Sequence, residues 1–552
     1  MLRLFNQHKI RRSSELNGIW QLAIDGTQTT MVVPGCWEQD PRFRAYRGEG
    51  TYSRTITVDD NADTIRFVFK GVSHTADVYL DGELLAHHYN AYTPFTATAR
   101  AVSAGSHRLE VNVSNRFSPE SALHIPNDYY SYGGISRGVG LEILPDLFIE
   151  HIHFTPSKEA ESWRGKTELT LTNLSSQPQE CDASLQLADE STVLTDLSVP
   201  AKSSRTFTWQ AAFPQAQPWS PDSPQLYCLQ AQLTRDGQPF DDLIERVGFR
   251  TVSEQGSQIL LNGEPIFLKG LNRHEDFGTF GCALPLSSLM QDMEYFHDLG
   301  ANAMRTCHYP NDERWLDLCD QEGLMVWEEH HTRSMSLEQM QNPNFDEQCR
   351  KCNHEMVTEH YNHPAIIIWG LLNECASNTA EGAAKYRQQF EQIESLDSSR
   401  PVTSASCQHF ADRCLSLDKV VSTNLYSGWY EDVDIQDSLD KEVDWIYGDT
   451  GVKPLIISEF GGAALYGNHD PMGRSKWSEE RQADILQQCL KIYLNDPRVS
   501  GVFIWQFADC RVTEEEWFLE RPRLHNNKGI VDEYRRPKLS YQTVKSLFQA
   551  MR

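Results

Sequence analysis

The sequence predicts a multidomain protein of the β plus α/β class, with a jelly-roll β-sandwich over residues 1–147, an immunoglobulin-like β-sandwich over 148–252 and a (β/α)8 TIM barrel over 253–552. Three observations support this fold class. The 552 residues exceed what one hydrophobic core usually organises. Short runs with every second residue apolar fill the first two regions, and in the third region apolar strand-like runs alternate with helix-like runs.

The two β domains are predicted from alternation and turn chemistry. Residues 64–72, TIRFVFKGV, place apolar side chains at every second position, as a strand with one buried face requires. The second domain shows similar short strands, for example at 166–174, and has the size of an immunoglobulin-like sandwich, about 100 residues. Each domain also contains an Asp-Gly pair between strand-like runs, which is a strong hairpin signal. These pairs are Asp81-Gly82 and Asp236-Gly237.

The third region contains eight apolar strand-like runs, the number that closes a (β/α)8 barrel. The helices between them can also be predicted from the sequence. Leu289, Met293, Phe296 and Leu299 form one helical stripe, which Gly300 ends. The eight runs are 266–272, 302–308, 324–330, 365–374, 402–406, 420–426, 455–461 and 501–509.

Composition excludes several classes of function. The formal net charge of −27 is spread along the chain, so the surface repels nucleic acid and anionic lipid, and no partner of either kind is expected. No apolar run approaches the roughly 18 residues that span a bilayer, and no secretory signal is visible at the amino end. The odd, scattered set of 13 cysteines favours a reducing compartment, so we expect a cytoplasmic protein.

Cys349 and Cys352 form an isolated CxxC pair. They share an apolar helical stripe with Phe345 and Met356, which favours core packing over a metal or redox role. We therefore predict no metal site and no cofactor.

Two glutamates stand at the ends of strand-like runs in the predicted barrel. Asn373-Glu374 closes the run 366–374, and Glu459 lies near the end of the run 455–461. An acidic residue at the end of an apolar strand is costly unless a site needs it. Because all strand C-termini of this fold open on one face, residues distant in sequence can be neighbours there. A pair of carboxylates at that face predicts glycosidase chemistry.

Seven motifs run in order along the chain: GLNRHED (270–276), NAMRTCHYP (302–310), NHPAIIIWGLLNE (362–374), NLYSGWY (424–430), IISEFG (456–461), IWQFAD (504–509) and NNKG (526–529). Together they resemble glycoside hydrolase family 2, and within it the β-glucuronidases. The likeness covers essentially the whole chain. It implies a jelly-roll sugar-binding-like domain, an immunoglobulin-like domain and a catalytic barrel.

The resemblance implies that Glu374 is the general acid/base and Glu459 the nucleophile of a retaining double displacement. Such carboxyl groups lie roughly 5 to 5.5 Å apart, too close for an interposed water. Glu374 must start protonated, so we expect burial and the Glu459 anion to raise its pKa. After protonating the leaving oxygen, it becomes the base that activates water.

The same resemblance implies contacts to the sugar ring and to the nucleophile. Asn373 is expected to bind the sugar 2-hydroxyl. Arg305 and Tyr426 are expected to hold the nucleophile's carboxylate and to favour its ionised state. His308 and Trp505 look like walls of the subsite, and a core role is an equal alternative for each.

The expected substrate class follows from Asn526 and Lys528, an Asn-x-Lys element that resembles the uronate-binding signature of glucuronidases. A sugar carboxylate buried in a cleft needs a cationic partner, which one lysine supplies. Tyr430 and Asp128 also match glucuronidase sugar contacts. The sequence therefore predicts a β-glucuronidase that cleaves terminal β-D-glucuronides.

The segment 328–341 departs from the glucuronidases, with His330, His331 and Arg333 in unfamiliar places. Arg333 could be a second carboxylate anchor or could select an axial 4-hydroxyl, so a β-galacturonidase or dual-specificity β-uronidase stays open. The segment is also short, which suggests an open cavity mouth that a partner subunit of a homo-oligomer completes. Two remoter alternatives are a non-catalytic carbohydrate-binding protein and a metal-dependent barrel hydrolase.

Overall fold

The computed structural model describes residues 2–160, 162–473 and 475–551. Its amino-terminal part is a sandwich of a four-stranded and a six-stranded sheet around one core. Asp81 and Gly82 both have positive φ, 50° and 87°, as the tight hairpin predicted there requires. The strands are Arg12–Glu15, Gly18–Ile24, Thr27–Val33, Glu49–Val58, Ala62–Phe69, Thr75–Leu80, Glu83–Tyr89, Phe95–Val102, Gly105–Ser114 and Val139–Leu144.

A second sandwich packs a three-stranded sheet against a four-stranded sheet, around a core of its own. The second predicted hairpin is present as well, because Asp236 and Gly237 have φ of 50° and 73° between two paired strands. The strands are Leu147–Glu159, Ser162–Asn173, Gln179–Leu187, Glu190–Val199, Ser203–Phe213, Trp219–Ser220, Ser223–Pro224, Tyr227–Arg235 and Gln238–Val247.

The third part is a barrel of eight parallel strands. Its fifth strand consists of two short pieces that stand at opposite ends of the hydrogen-bonded strand order, so the sheet closes on itself through Ser404. The predicted fold class is confirmed. In chain order the barrel strands are Leu268–Asn272, Ala303–Arg305, Met325–Glu329, Ile366–Gly370, Val402–Thr403 with Ala405–Ser406, Val421–Asn424, Leu455–Phe460 and Val499–Ile504.

Helices surround the barrel, and two small sheets flank it. The buried stripe predicted for the first helix is present, and Gly300 ends that helix with a φ of 74°. The helices are α1 (Leu286–Leu299), α2 (Glu313–Glu322), α3 (Leu337–Met340), α4 (Phe345–His360), α5 (Ala380–Leu396), α6 (Ile435–Thr450), α7 (Glu479–Tyr493) and α8 (Leu539–Ala550). The flanking strands are Val252–Gln255, Gln258–Leu261 and Glu264–Ile266 before the barrel, and Cys510–Arg511 paired with His525–Asn526 after it.

Cys349 and Cys352 lie buried on α4 with free thiols, within the apolar core of the barrel. Their role is packing, as the stripe predicted. Among the residues that the structure describes, no helix has both the length and the apolar character needed to cross a bilayer.

The first sandwich reaches the C-terminal face of the barrel. Arg137 donates to Glu275 Oε2 at 2.7 Å and to the Pro310 carbonyl at 2.7 Å. The backbone of Asn127 exchanges hydrogen bonds with Thr513 across the same junction. These contacts bring the segment around Asn127 to the rim of the barrel.

One buried ion pair fixes the loop at 526–529. Lys538 Nζ donates to Asp509 Oδ1 at 2.7 Å and to the Asn527 carbonyl at 3.1 Å. Asp509 also accepts from the Gly529 backbone N–H at 2.9 Å. Because both side chains are fully buried, each charge depends on the other for its compensation.

We predict that Asp509→Ala destabilises the protein by about 3–5 kcal/mol, because it leaves the Lys538 ammonium buried without an anion. Thermal unfolding followed by circular dichroism measures the effect. Asp444→Ala, at an exposed position of α6, is the matched control and should leave the melting temperature unchanged. Equal melting temperatures for the two variants would contradict the role given to the pair.

Candidate active site

A cavity of about 980 Å³ opens at the C-terminal ends of the barrel strands. Eight of the residues predicted from sequence line it, namely Asp128, Arg333, Glu374, Tyr426, Tyr430, Glu459, Trp505 and Lys528. Four others, Arg305, His308, Asn373 and Asn526, are buried behind that lining. All twelve predicted site residues therefore belong to one region.

Glu459 lies in the seventh barrel strand and is 3% exposed. Both of its carboxylate oxygens are held, since Arg305 Nη1 donates to Oε1 at 3.0 Å and the Tyr426 hydroxyl donates to Oε2 at 2.8 Å. A carboxylate fixed in this way has a defined direction toward the cavity.

Arg305 connects this carboxylate to its surroundings. Its guanidinium also donates to Asn373 Oδ1 at 2.9 Å, to Asn272 Oδ1 at 2.9 Å and to Glu329. The bond to Oδ1 fixes the orientation of the Asn373 amide, whose buried Nδ2 has no hydrogen-bond partner among the described residues. A buried amide N–H of this kind is available to a hydroxyl of a bound molecule.

Glu374 lies four residues beyond the fourth barrel strand, which ends at Gly370 rather than at the predicted residue 374. Its backbone has a φ of 54°, in the left-handed region. Asn424 Nδ2 donates to Oε1 at 2.8 Å, and Ser334 Oγ donates to Oε2 at 2.9 Å. Arg333 Nη2 lies 3.6 Å from Oε2. The loop after the third strand and the end of the sixth strand thus converge on one carboxylate.

The pKa of Glu374 is lowered. Burial favours a higher pKa, but the Arg333 charge and the hydrogen bonds from Asn424 and Ser334 outweigh it. For Glu459, burial and the negative charge of Glu374 raise the pKa despite Arg305. The raised pKa predicted for Glu374 is therefore wrong. The contribution predicted for Arg305 and Tyr426 is confirmed, because each lowers the pKa of Glu459, although burial and the Glu374 charge outweigh them. The sequence did not reveal that Arg333 approaches Glu374.

His308 and Trp505 stack at 5.0 Å between ring centroids. Glu329 Oε1 lies 2.9 Å from His308 Nδ1 and fixes the ring, while burial holds the pKa of His308 well below its usual range. A neutral imidazole results. Trp505 also lines the cavity, so this stack forms part of its wall.

At another part of the wall, Lys528 is 1% exposed and donates from Nζ to the Tyr430 hydroxyl at 2.6 Å. The ammonium also lies over the rings of Tyr426 and Tyr430, at 5.3 and 4.7 Å from their centroids. Asn526 Nδ2 donates to Asp128 Oδ2 at 2.9 Å. The Asn-x-Lys element therefore faces inward, with its cation at the cavity.

Sequence reasoning missed Arg521, which donates from Nε to Asp128 Oδ1 at 3.0 Å and lines the cavity. Burial would raise the pKa of Tyr430, but the charges of Lys528 and Arg521 lower it. These two cations form a positive region inside an acidic protein. The available signal was a basic stretch, RPR at 521–523, in a chain of net charge −27. The other missed residues are Asn424 and Ser334, which donate to Glu374, and Glu329, which accepts from Arg305.

Asp317, Asp320 and His363 form a buried group whose donor atoms are close enough together to hold a metal ion. These atoms already pair with protein groups. Arg3 Nη2 donates to Asp317 at 2.8 Å, and His363 Nδ1 lies 2.5 Å from Asp320 Oδ2. The group lies outside the cavity lining, so its geometry favours an ion-pair network over a catalytic metal centre.

Known proteins share this architecture. Among solved structures, the chain is similar to a GH2 β-galacturonidase from Eisenbergiella tayi bound to galacturonate, with a TM-score of 0.97 and 47% identity over 100% of both chains. Among curated proteins, it is 26% identical to a β-glucuronidase of Paenibacillus borealis, over 98% of this chain and 97% of that protein. It is 28% identical to the β-glucuronidase of Homo sapiens, over 96% of this chain and 89% of that protein.

Sequence models of the glycosyl hydrolases family 2 match almost the whole chain. The sugar binding domain matches residues 16–145, a second family 2 model matches 147–250, and the TIM barrel domain matches 252–552. The two glutamates lie in the third of these regions, and Asp128 of the first region completes the cavity lining. The protein therefore belongs to the glycosyl hydrolases family 2 and is a glycosidase.

Proposed function

We propose that the protein is a retaining hydrolase of terminal β-D-uronides. The observation that carries the proposal is the Lys528 ammonium, which is buried in the wall of the same cavity that Glu374 and Glu459 line. A buried cation in a cavity wall favours an anionic ligand, because the ligand supplies the negative charge that the surroundings of the cation lack. A neutral hexose, which has a hydroxymethyl group in place of the carboxylate, would gain nothing from this lysine.

The preferred epimer that we propose is the β-galacturonide, with the β-glucuronide as the second candidate. The β-galacturonidase of Eisenbergiella tayi is 47% identical, whereas the curated β-glucuronidases are 26–29% identical. Arg333, from the segment that departs from the glucuronidases, reaches the cavity and also bonds Asn127 Oδ1 at 2.8 Å. An additional guanidinium in the pocket is a suitable donor to an axial 4-hydroxyl.

The proposed mechanism uses the two glutamates in sequence. Glu459 attacks the anomeric carbon while Glu374 protonates the departing glycosidic oxygen, and a covalent glycosyl-enzyme forms. Glu374 then removes a proton from water, which attacks the same carbon and releases the sugar with its anomeric configuration retained. The free Asn373 Nδ2 donates to the 2-hydroxyl, where hydrogen bonding stabilises the oxocarbenium-like transition state.

This mechanism requires the pKa of Glu374 to rise above that of Glu459. Glu374 must be protonated and Glu459 ionised, the opposite of what their pKa shifts favour. We propose that the substrate causes the reversal. A bound uronate adds a negative charge to the cavity, and its hydroxyls compete for the Arg333 guanidinium. The added charge raises the pKa of both glutamates, whereas the competition for Arg333 acts mainly on Glu374, because Arg333 is the largest influence that lowers the pKa of that residue.

We also retain two broader proposals. A cytoplasmic location is supported by the 13 cysteines, each with a free thiol. A homo-oligomer is supported by the short segment beside the cavity mouth, which leaves room for a neighbouring subunit.

We predict that Glu459→Gln and Glu374→Gln each reduce kcat on 4-nitrophenyl β-D-galacturonide by about 10³-fold or more, because each removes a group that acts on the reacting atoms. Steady-state kinetics measure the loss, and proton NMR of the wild-type reaction should show the β-anomer as first product. Appearance of the α-anomer first would contradict a retaining mechanism.

Lys528→Ala should lower kcat/KM for the same galacturonide by about 10²–10⁴-fold, because a buried carboxylate loses its cation at a cost of about 3–5 kcal/mol. Trace hydrolysis of 4-nitrophenyl β-D-galactoside should change little. Lys441→Ala, at the mouth of the same cavity, is the matched control. If Lys528→Ala left uronide hydrolysis intact, the substrate class would be wrong.

Arg333→Gln should move the alkaline limb of the kcat/KM profile to higher pH. In the free enzyme the Arg333 charge lowers the pKa of Glu374, and the general acid is lost as the pH rises through that value. Removing the charge raises the pKa and extends activity upward. Arg350→Gln, exposed on α4, is the control. An alkaline limb that stays in place or moves to lower pH would show that Arg333 does not govern this ionisation.

A further inference from the structure

The cavity is larger than one sugar residue needs. Its volume of about 980 Å³ is at the upper end of the roughly 300–1,000 Å³ that encloses drug-sized ligands. Beyond Glu374 it extends to the loop after the fifth barrel strand and to the first turns of α6. His409 on that loop and Glu374 line the same cavity, so this outer part is continuous with the proposed acid/base. The leaving group of a glycoside departs past that residue.

Phe410 is the principal apolar group of this outer part. Its side chain lines the cavity and is 61% exposed, and its φ of 61° is in the left-handed region that bulky residues avoid. Trp445 of α6 supports the ring at 5.3 Å between centroids. An aromatic ring kept in solvent at a cost in backbone strain is typical of a ligand contact.

His409 lies beside Phe410 with a fixed orientation. Its Nδ1 is 3.0 Å from Glu442 Oε1, and Glu442 also accepts from Thr423 Oγ1 at 2.7 Å. The ring nitrogen on the other side of His409 is thereby left to a bound molecule. A planar group that stacks on the Phe410 ring would lie next to this second ring nitrogen of His409.

The outer part of the cavity is acidic. Glu431 and Asp437 line it at exposed positions, Asp434 stands at the start of α6, and Lys441 supplies one opposing charge. The inner part, by contrast, has Lys528 and Arg521. The cavity is therefore electrically polarised, and the net charge of −27 adds to the negative potential at its mouth.

We propose that this outer part is an aglycone subsite that selects planar aromatic aglycones without negative charge. Phe410 stacks on the aromatic ring, and the acidic wall repels an anionic aglycone, including a second uronic acid residue. The enzyme then removes single uronic acids from neutral or cationic aromatic glycosides and does not degrade oligouronides. This inference rests on the proposed uronide hydrolysis and extends it to the leaving group.

The test compares uronides of 4-hydroxybenzoate with uronides of its methyl ester, two aglycones that share the ring and differ by one charge. Because the phenol of the ester is also the better leaving group, the readout is the change of this preference in a variant and not its size in the wild type. The wild-type enzyme should prefer the ester by about tenfold in kcat/KM. Asp437→Asn should reduce this preference about threefold. Asp444→Asn, on the same helix outside the cavity lining, should leave it unchanged. Equal preferences in wild type and Asp437→Asn would overturn the charge selection.

Phe410→Ala should lower kcat/KM for 4-nitrophenyl β-D-galacturonide about three- to tenfold, because the variant loses the binding free energy of one aromatic contact. Hydrolysis of methyl β-D-galacturonide, which has no aromatic aglycone, should be unchanged. Phe410→Tyr should restore the aromatic substrate. Equal losses on the two substrates, or none, would overturn the stacking role. If the wild-type enzyme hydrolysed none of these uronides, the proposed function itself would fail. Hydrolysis without aglycone selectivity would refute only the inference.

Discussion

The buried ammonium of Lys528 is the constraint on which the account of this site depends. Removing a cation from water costs several kcal/mol unless nearby groups compensate it. Here the Tyr430 hydroxyl and two aromatic faces do so in part. Asp128, the nearby acid, already binds Arg521 and Asn526. The unliganded cavity therefore has a positive wall to which an anionic sugar is complementary.

The two glutamates are likewise held by few charged groups. Arg305 fixes the carboxylate of Glu459 and the amide of Asn373 with one planar guanidinium. Glu374 is held by Asn424 at the end of the sixth strand and by two residues of the loop after the third strand, Ser334 and the charged Arg333. Because the glutamates share one cavity, the ionisation of each depends on the other and on what the cavity contains. A substrate that carries a negative charge therefore changes the pKa of both glutamates.

The fold class followed from local patterns: alternation, Asp-Gly turns and eight apolar runs are properties of short segments. Glu374 and Glu459 stood out because acids are costly at the ends of apolar strands. The sequence could not predict that the fourth strand ends at Gly370 and leaves Glu374 on a loop, since that depends on tertiary contacts. The positions of Arg333 and Arg521 also depend on loops folding against the first sandwich, at Asn127 and Asp128. The pKa of Glu374 was predicted in the wrong direction for this reason.

The most direct test is a crystal structure of Glu459→Gln soaked with 4-nitrophenyl β-D-galacturonide. The account predicts the sugar carboxylate at about 3 Å from Lys528 Nζ, with the glycosidic oxygen within hydrogen-bond reach of Glu374. A carboxylate bound at Arg333 instead, or directed to solvent while Lys528 stays paired only with Tyr430, would contradict it.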